Sequence, residues 1–94
     1  MVKGLLSRLF GKAEPSGPVE QPSVEYKGYR ITPSPYPSNG QYQTAGVIRS
    51  LAEPAREHRF IRAETHPSID AAASFAVIKA KQIIDEQGDS LFRD

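Results

Sequence analysis

The sequence predicts an α+β fold: a small antiparallel β-meander of three to four strands packed on one long C-terminal helix, with a short amphipathic N-terminal helix on a proline-rich linker. Three observations predict it. Extended runs between Val24 and Glu64 are joined by connections too short for a parallel crossover. From Ile69 onward the apolar residues recur with a helical period. Six of the eight prolines lie before residue 40, which denies that region any long helix. With 94 residues the chain has room for one small domain.

The elements follow in order. Val2, Leu5, Leu6, Leu9 and Phe10 fall on one helical face, and Gly11 can end the helix. Met1–Lys12 is therefore read as an amphipathic helix. Gly4 weakens it by about 1 kcal/mol relative to alanine, so it needs a surface to form on. The apolar residues are interrupted and no small-residue cleavage site follows, which argues against a secretory signal. Ala13–Ser23, reading AEPSGPVEQPS, lacks apolar periodicity and is read as a flexible linker, leaving Val24–Asp94 as a single α+β domain.

Val24–Tyr26 and Tyr29–Thr32 read either as two strands about a Lys27-Gly28 turn or as one extended segment bent at Gly28. Pro33-Ser34-Pro35-Tyr36-Pro37 is confined to an edge or a loop, because three of its five residues have no N–H to donate. It leads to a turn at Ser38-Asn39-Gly40. Gln41 to about Ser50 is the next strand, with Ala45-Gly46 marking a bulge. Leu51–Arg56 connects it to a strand at Glu57–Glu64. Strand parity places Phe60 with Tyr42 and Ile48 on the core face, and Arg59 and Ile61 on the other.

Ser68 is a good N-cap and Asp70 suits the first turn of a helix running from Ile69 to Gln87 and stopping at Gly88. Ile69, Ala72, Ala73, Ala76, Val77, Ala80, Ile83 and Ile84 make its core face. Phe75 and Ile78 fall outside that face and form, with Ala71, a second apolar strip. It is read as a contact surface, met either by the head residues Leu5, Leu6, Leu9 and Phe10 or by a partner or second copy.

Chemistry-bearing patterns are scarce. His58 and His66 are the only histidines, and no spacing around them resembles a ligand set. Ser68 beside His66 is accounted for by capping. There is no cysteine, no G-x-G-x-x-G and no P-loop, so no catalytic, cofactor or metal residue is assigned and an enzyme is not expected. The net charge of +1 supplies no global field toward nucleic acid or membrane. Charge is nevertheless uneven, with a local +2 over Val24–Glu64 and −2 from Ser68 onward. Arg30, Arg49, Arg59 and Arg62, near Tyr29, Tyr42 and Phe60, are the candidate nucleic-acid face. The competing reading is that arginine stems simply cover a sheet face that no helix protects.

Several blocks carry a family resemblance. Tyr26-Lys27-Gly28-Tyr29-Arg30-Ile31-Thr32-Pro33, Gln41-Tyr42 with Ala45-Gly46, and His58-Arg59-Phe60-Ile61-Arg62-Ala63-Glu64-Thr65 resemble the HlyU-type family of small bacterial proteins. So do the helix end Ala80-Lys81-Gln82-Ile83-Ile84-Asp85-Glu86-Gln87-Gly88-Asp89 and the head ending Leu9-Phe10-Gly11. The resemblance spans essentially the whole chain and implies a transcriptional activator; it transfers no catalytic or binding residue. The expected function is a cytoplasmic, non-enzymatic regulatory module acting through a protein partner or self-association. The alternatives are direct nucleic-acid binding through the arginine face and a peripheral membrane adaptor using the basic N-terminal helix.

Overall fold

The computed structural model describes residues 17–92. The expected N-terminal helix, with Leu5, Leu6, Leu9 and Phe10, lies outside the described residues. Within them run β1 (Val24–Tyr26), β2 (Tyr29–Pro33), β3 (Tyr36–Ser38), β4 (Gln41–Ser50), β5 (Glu57–His66), α1 (Ile69–Gln87) and a 3-10 turn (Gly88–Phe92). All pairings are antiparallel, and one long helix crosses one face of the sheet.

The five strand segments occupy four rows. β2 and β3 both pair with β4, and one register runs unbroken from Tyr29↔Ser50 through Pro33↔Gly46 to Ser38↔Gln41. Between them the Ser34 N–H still donates to the Ala45 carbonyl at 2.9 Å. Residues 29–38 are thus one strand, with β1 on one side and β4 on the other. The prolines explain why it survives. Successive residues of a strand direct their N–H groups to opposite neighbours. Ser34 faces β4, so Pro33, Pro35 and Pro37 all direct their missing N–H away from it. The ladder to β4 loses nothing.

On that other side, Val19 N–H donates to Pro35 C=O and Gln21 N–H to Pro33 C=O, each at 2.9 Å. The hydrogen bonding of the body therefore reaches into the proline-rich stretch before Val24. Both hairpin turns carry two residues at positive φ: Lys27 (47°) with Gly28 (85°), and Asn39 (47°) with Gly40 (80°). That is the backbone of a two-residue turn whose twist matches the strands it joins. The strain falls on Lys27, which has a Cβ to accommodate. The alternative of a single bent segment at Gly28 is replaced by a true hairpin.

The irregularity in β4 differs from the sequence expectation. Ala45 and Gly46 pair regularly with Ile61 and Phe60; the register shifts between Gln43 and Ala45. Gln43 pairs with Thr65 and Ala45 with Ile61, so Arg62, Ala63 and Glu64 all stand opposite Thr44. The two extra residues belong to β5. Being an even number, they leave both halves of β5 with the same inward parity. Gly46 serves another purpose: a Cβ there would sit 2.9 Å from Cζ of Phe60. Glycine lets the ring lie flat on the strand.

The core forms where alternation and helical period meet. Ile31, Ile48, Phe60 and Tyr29 from the sheet pack on Ala76, Ala80, Ile83 and Ile84 from the helix, with Leu91 closing one end. Ala72, Ala76 and Ala80 are fully buried and repeat every four residues. Phe60 is inward, while Arg59 and Ile61 are exposed. The helix begins as its sequence dictates: Ser68 is extended and its hydroxyl accepts from Ala71 N–H at 3.1 Å. Replacing Ser68 by alanine should lower stability by about 1 kcal/mol in a denaturant titration, with an unchanged m value.

Candidate functional site

The sheet has one face under the helix and one face that no other described element covers, and the second is the candidate interaction surface. Since Ile31, Ile48 and Phe60 point inward, their strand neighbours point outward. The cross-strand pairs then order the outer face in rows. Glu25 pairs with Arg30, Arg30 with Arg49, and Arg49 with Glu57. Across the sheet this row reads acid, base, base, acid. Arg30 Nη2 lies 3.0 Å from Glu25 Oε2, and Arg49 bonds Glu57. Each pair is exposed and contributes at most about 1 kcal/mol, but together they neutralise the row.

The structure therefore distributes the four candidate arginines unequally. Arg30 and Arg49 are neighbours whose charge is answered within their own row. Arg59 stands beside Val47 in the next row, and Arg62 sits in the two-residue insertion of β5. Among the described residues neither Arg59 nor Arg62 forms an ion pair. The third row is Ser34, Ala45 and Ile61, of which Ile61 is 55% exposed.

The helix strip is also divided. Phe75 is half-buried, with the His66 ring tilted against it at 5.0 Å and Lys79 Nζ 5.2 Å from its centre. His66 in turn hydrogen-bonds Thr44 through Nε2 at 3.2 Å. Ala71 is half-buried, and Ile78 is left as an exposed apolar side chain on the outward side of the helix. A helical wheel places Phe75 and Ile78 together because it contains only the helix; the end of β5 separates them.

Sequence reasoning missed a polar clasp at the opposite end of the sheet. The Tyr26 hydroxyl donates to the Asp85 carboxylate at 3.0 Å, and Lys27 Nζ donates to Asp85 at 2.8 Å. Lys27 and Tyr26 together hold the Asp85 carboxyl below its ordinary 3.8, and Asp85 holds the Lys27 ammonium above its ordinary 10.5. Tyr29 donates its hydroxyl to Asp89 and stacks on Phe92 at 6.0 Å. The only signal for this in the sequence was the basic lean of the sheet against the acidic lean of the helix.

The Tyr29 bond has a testable pH signature. Its hydrogen bond to Asp89, then burial, raise the phenol above its ordinary 10.0. A group whose pKa rises on folding contributes stability that is complete below the unfolded value and is lost as pH climbs through the folded one. The parent Tm should therefore exceed that of Tyr29→Phe by a constant margin below pH 10, and the margin should shrink above it. A margin independent of pH up to the unfolding limit contradicts the assignment.

A cleft of about 250 Å³ lies beside the clasp, lined by Ser50, Ala52, Glu53, Pro54, Arg56, Asp89 and Phe92. Arg56 closes one side by donating to the Phe92 carbonyl at 3.4 Å. Among the described residues no group of three or more metal-ligating side chains is gathered, and no buried side-chain polar atom lacks a partner. No described helix is long and apolar enough to cross a membrane.

Comparison with known proteins agrees with the residues already quoted from the strands and the helix end. No curated protein and no solved structure matches the chain. One family does match, described as transcriptional activator HlyU, over residues 4–92. Because that match covers nearly all of the chain, from the N-terminal segment through the 3-10 turn after α1, this protein belongs to the HlyU family.

Proposed function

We propose that the chain is a cytoplasmic, non-enzymatic regulatory module whose setting is transcription and whose mode of action is protein contact. The family description supports the setting. The observation that carries the mode is the neutralised row Glu25–Arg30–Arg49–Glu57. Phosphate binding needs cations that form a continuous track, and each phosphate contact steepens the salt dependence by about one power of concentration. Among the described residues, the candidate arginines without an ion pair are Arg59 and, in the insertion of β5, Arg62. Two such contacts amount to a weak, shallow interaction. Beside them the exposed Ile61 and the half-buried Val47 offer an apolar surface better matched to a protein partner.

Fluorescence anisotropy of a labelled DNA duplex, read at low and at physiological salt, tests this reading. Weak association whose logarithmic salt slope is no steeper than about −2 is expected. Submicromolar binding at physiological salt with a slope near −6, lost on replacing Arg59 and Arg62 by glutamine, would establish nucleic acid as the ligand instead.

A further inference from the structure

The two margins of the sheet differ. At one lies β1, three residues long, continued by residues that meet Pro33 and Pro35 through one-way bonds. At the other lies β5, ten residues long and free of proline, whose strand neighbour among the described residues is β4 alone. The helix α1 packs chiefly over β4 and β2 rather than over this margin. A long edge strand with no proline is a template for another strand.

The hydrogen bonding shows which residues of β5 face outward along the sheet. Ser50 N–H donates to the Arg56 carbonyl at 2.9 Å, and Arg49 and Glu57 are the next pair. Alternation then turns the backbone of His58 and Phe60 toward Ile48 and Gly46 on β4. It turns the N–H and C=O groups of Glu57, Arg59 and Ile61 toward the open edge. Past Ile61 the insertion interrupts the row, so Glu57–Ile61 is the regular part of this edge. Its side chains on the outer face are Glu57, bonded by Arg49, and the exposed Arg59 and Ile61.

We propose that this edge pairs with the same edge of a second copy of the chain, antiparallel about a two-fold axis at His58, joining two sheets into one. The proposal rests on the protein-contact reading and names the partner. A two-fold normal to the sheet sets one residue opposite itself, and the regular stretch offers His58, Arg59 or Phe60 as that centre. Centring on Arg59 opposes two arginines, which is unfavourable. Centring on Phe60 sets Arg59 against Ile61 and carries Glu57 into the insertion at Ala63. Centring on His58 sets Glu57 of each copy opposite Arg59 of the other, on both sides of the axis. Both of those pairs are turned toward the edge, so each exchanges its two backbone bonds. Arg59, which has no ion pair among the described residues, then gains an acid, and Glu57 lies between Arg49 and the second copy's Arg59. Pairing of so short a stretch buries less than the roughly 1,200 Å² of a stable complex, so the dimer is weak and reversible.

Sedimentation velocity of the full chain from about 5 to 500 μM, without nucleic acid, tests this by mass action. A monomer–dimer equilibrium is expected. Arg59→Glu should raise its dissociation constant at least tenfold, and adding Glu57→Arg to that variant should restore most of the loss. Arg59→Pro removes no bond to β4, because that N–H points to the open edge, and should be folded but monomeric. Circular dichroism melting checks the fold of each variant. A parent that stays monomeric throughout, a dimer indifferent to Arg59→Glu, or a charge swap that restores nothing overturns the pairing. A dimer lost on Ile78→Asp but not on Arg59→Glu also overturns it and moves the contact to α1. A monomer refutes this pairing alone, whereas tight DNA binding in the anisotropy titration refutes the reading on which it rests.

Discussion

Replacing Phe60 by alanine is expected to cost about 3–5 kcal/mol, enough to unfold much of the population of a domain this small. Phe60 is inward on β5, 6% exposed, and joins Ile31 and Ile48 against Ala76 and Ala80. Its ring also covers Gly46, where there is no side chain to move into the space left by truncation. The residual cavity should therefore collapse poorly, placing the loss toward the upper end of the range. Urea titration by circular dichroism measures it. A cooperative transition within about 1 kcal/mol of the parent would show that Phe60 is not the keystone of this core. Ile61→Ala, one residue away on the outer face, should cost far less, because its side chain is already half in water.

Gly46→Val is the complementary experiment, adding volume where Phe60→Ala removes it. A Cβ at Gly46 would meet Phe60 Cζ at 2.9 Å, Phe60 Cε1 at 3.0 Å and the Thr32 carbonyl oxygen at 3.1 Å. The backbone at Gly46 is ordinary, so the penalty is steric. Overpacking of this kind costs about 1–3 kcal/mol, and the fixed carbonyl pushes it upward. Combining Gly46→Val with Phe60→Leu should relieve part of the clash. The double variant should then lose less than the two single losses summed, with a coupling of at least about 0.5 kcal/mol. Strict additivity would mean that ring and glycine do not share the space.

What the sequence disclosed and what it concealed divide along the range of the interactions. Ser68 as a cap, Gly88 as a stop and Asn39-Gly40 as a turn are set by a few adjacent residues, and all three stand where their chemistry puts them. The inward parity of Phe60 also survived, because Phe60 pairs with Gly46 in the regular stretch of β5 that precedes the insertion. The insertion's position was illegible: Arg62-Ala63-Glu64 contains no glycine or proline to mark it, while Ala45-Gly46 offered a false signal. Gly46 answers to a ring fourteen residues away, which no local rule contains. The Tyr26–Asp85 bond joins residues 59 apart, and His66 covers Phe75 across a strand-to-helix junction. Such pairings follow from the assembled topology. At the candidate surface, the arginines were visible as a composition, but only the register revealed that Glu25 and Glu57 flank two of them.

The alternating prolines also make one seam of the sheet one-directional. Pro33 and Pro35 accept from Gln21 and Val19, yet have no hydrogen with which to answer the carbonyls opposite. An ordinary antiparallel seam exchanges bonds both ways, so this one carries about half the usual number. Residues 17–23 are thus joined to the body by a half-ladder that can open like a zipper while the rows from 29 to 66 stay closed. Native-state hydrogen exchange should show this as two tiers: Val19 and Gln21 amides exchanging through local opening, and Ile31 and Ile48 only through global unfolding. Residues 17–23 can thus part from Pro33 and Pro35 while the pairings of β4 with its two neighbours keep every bond.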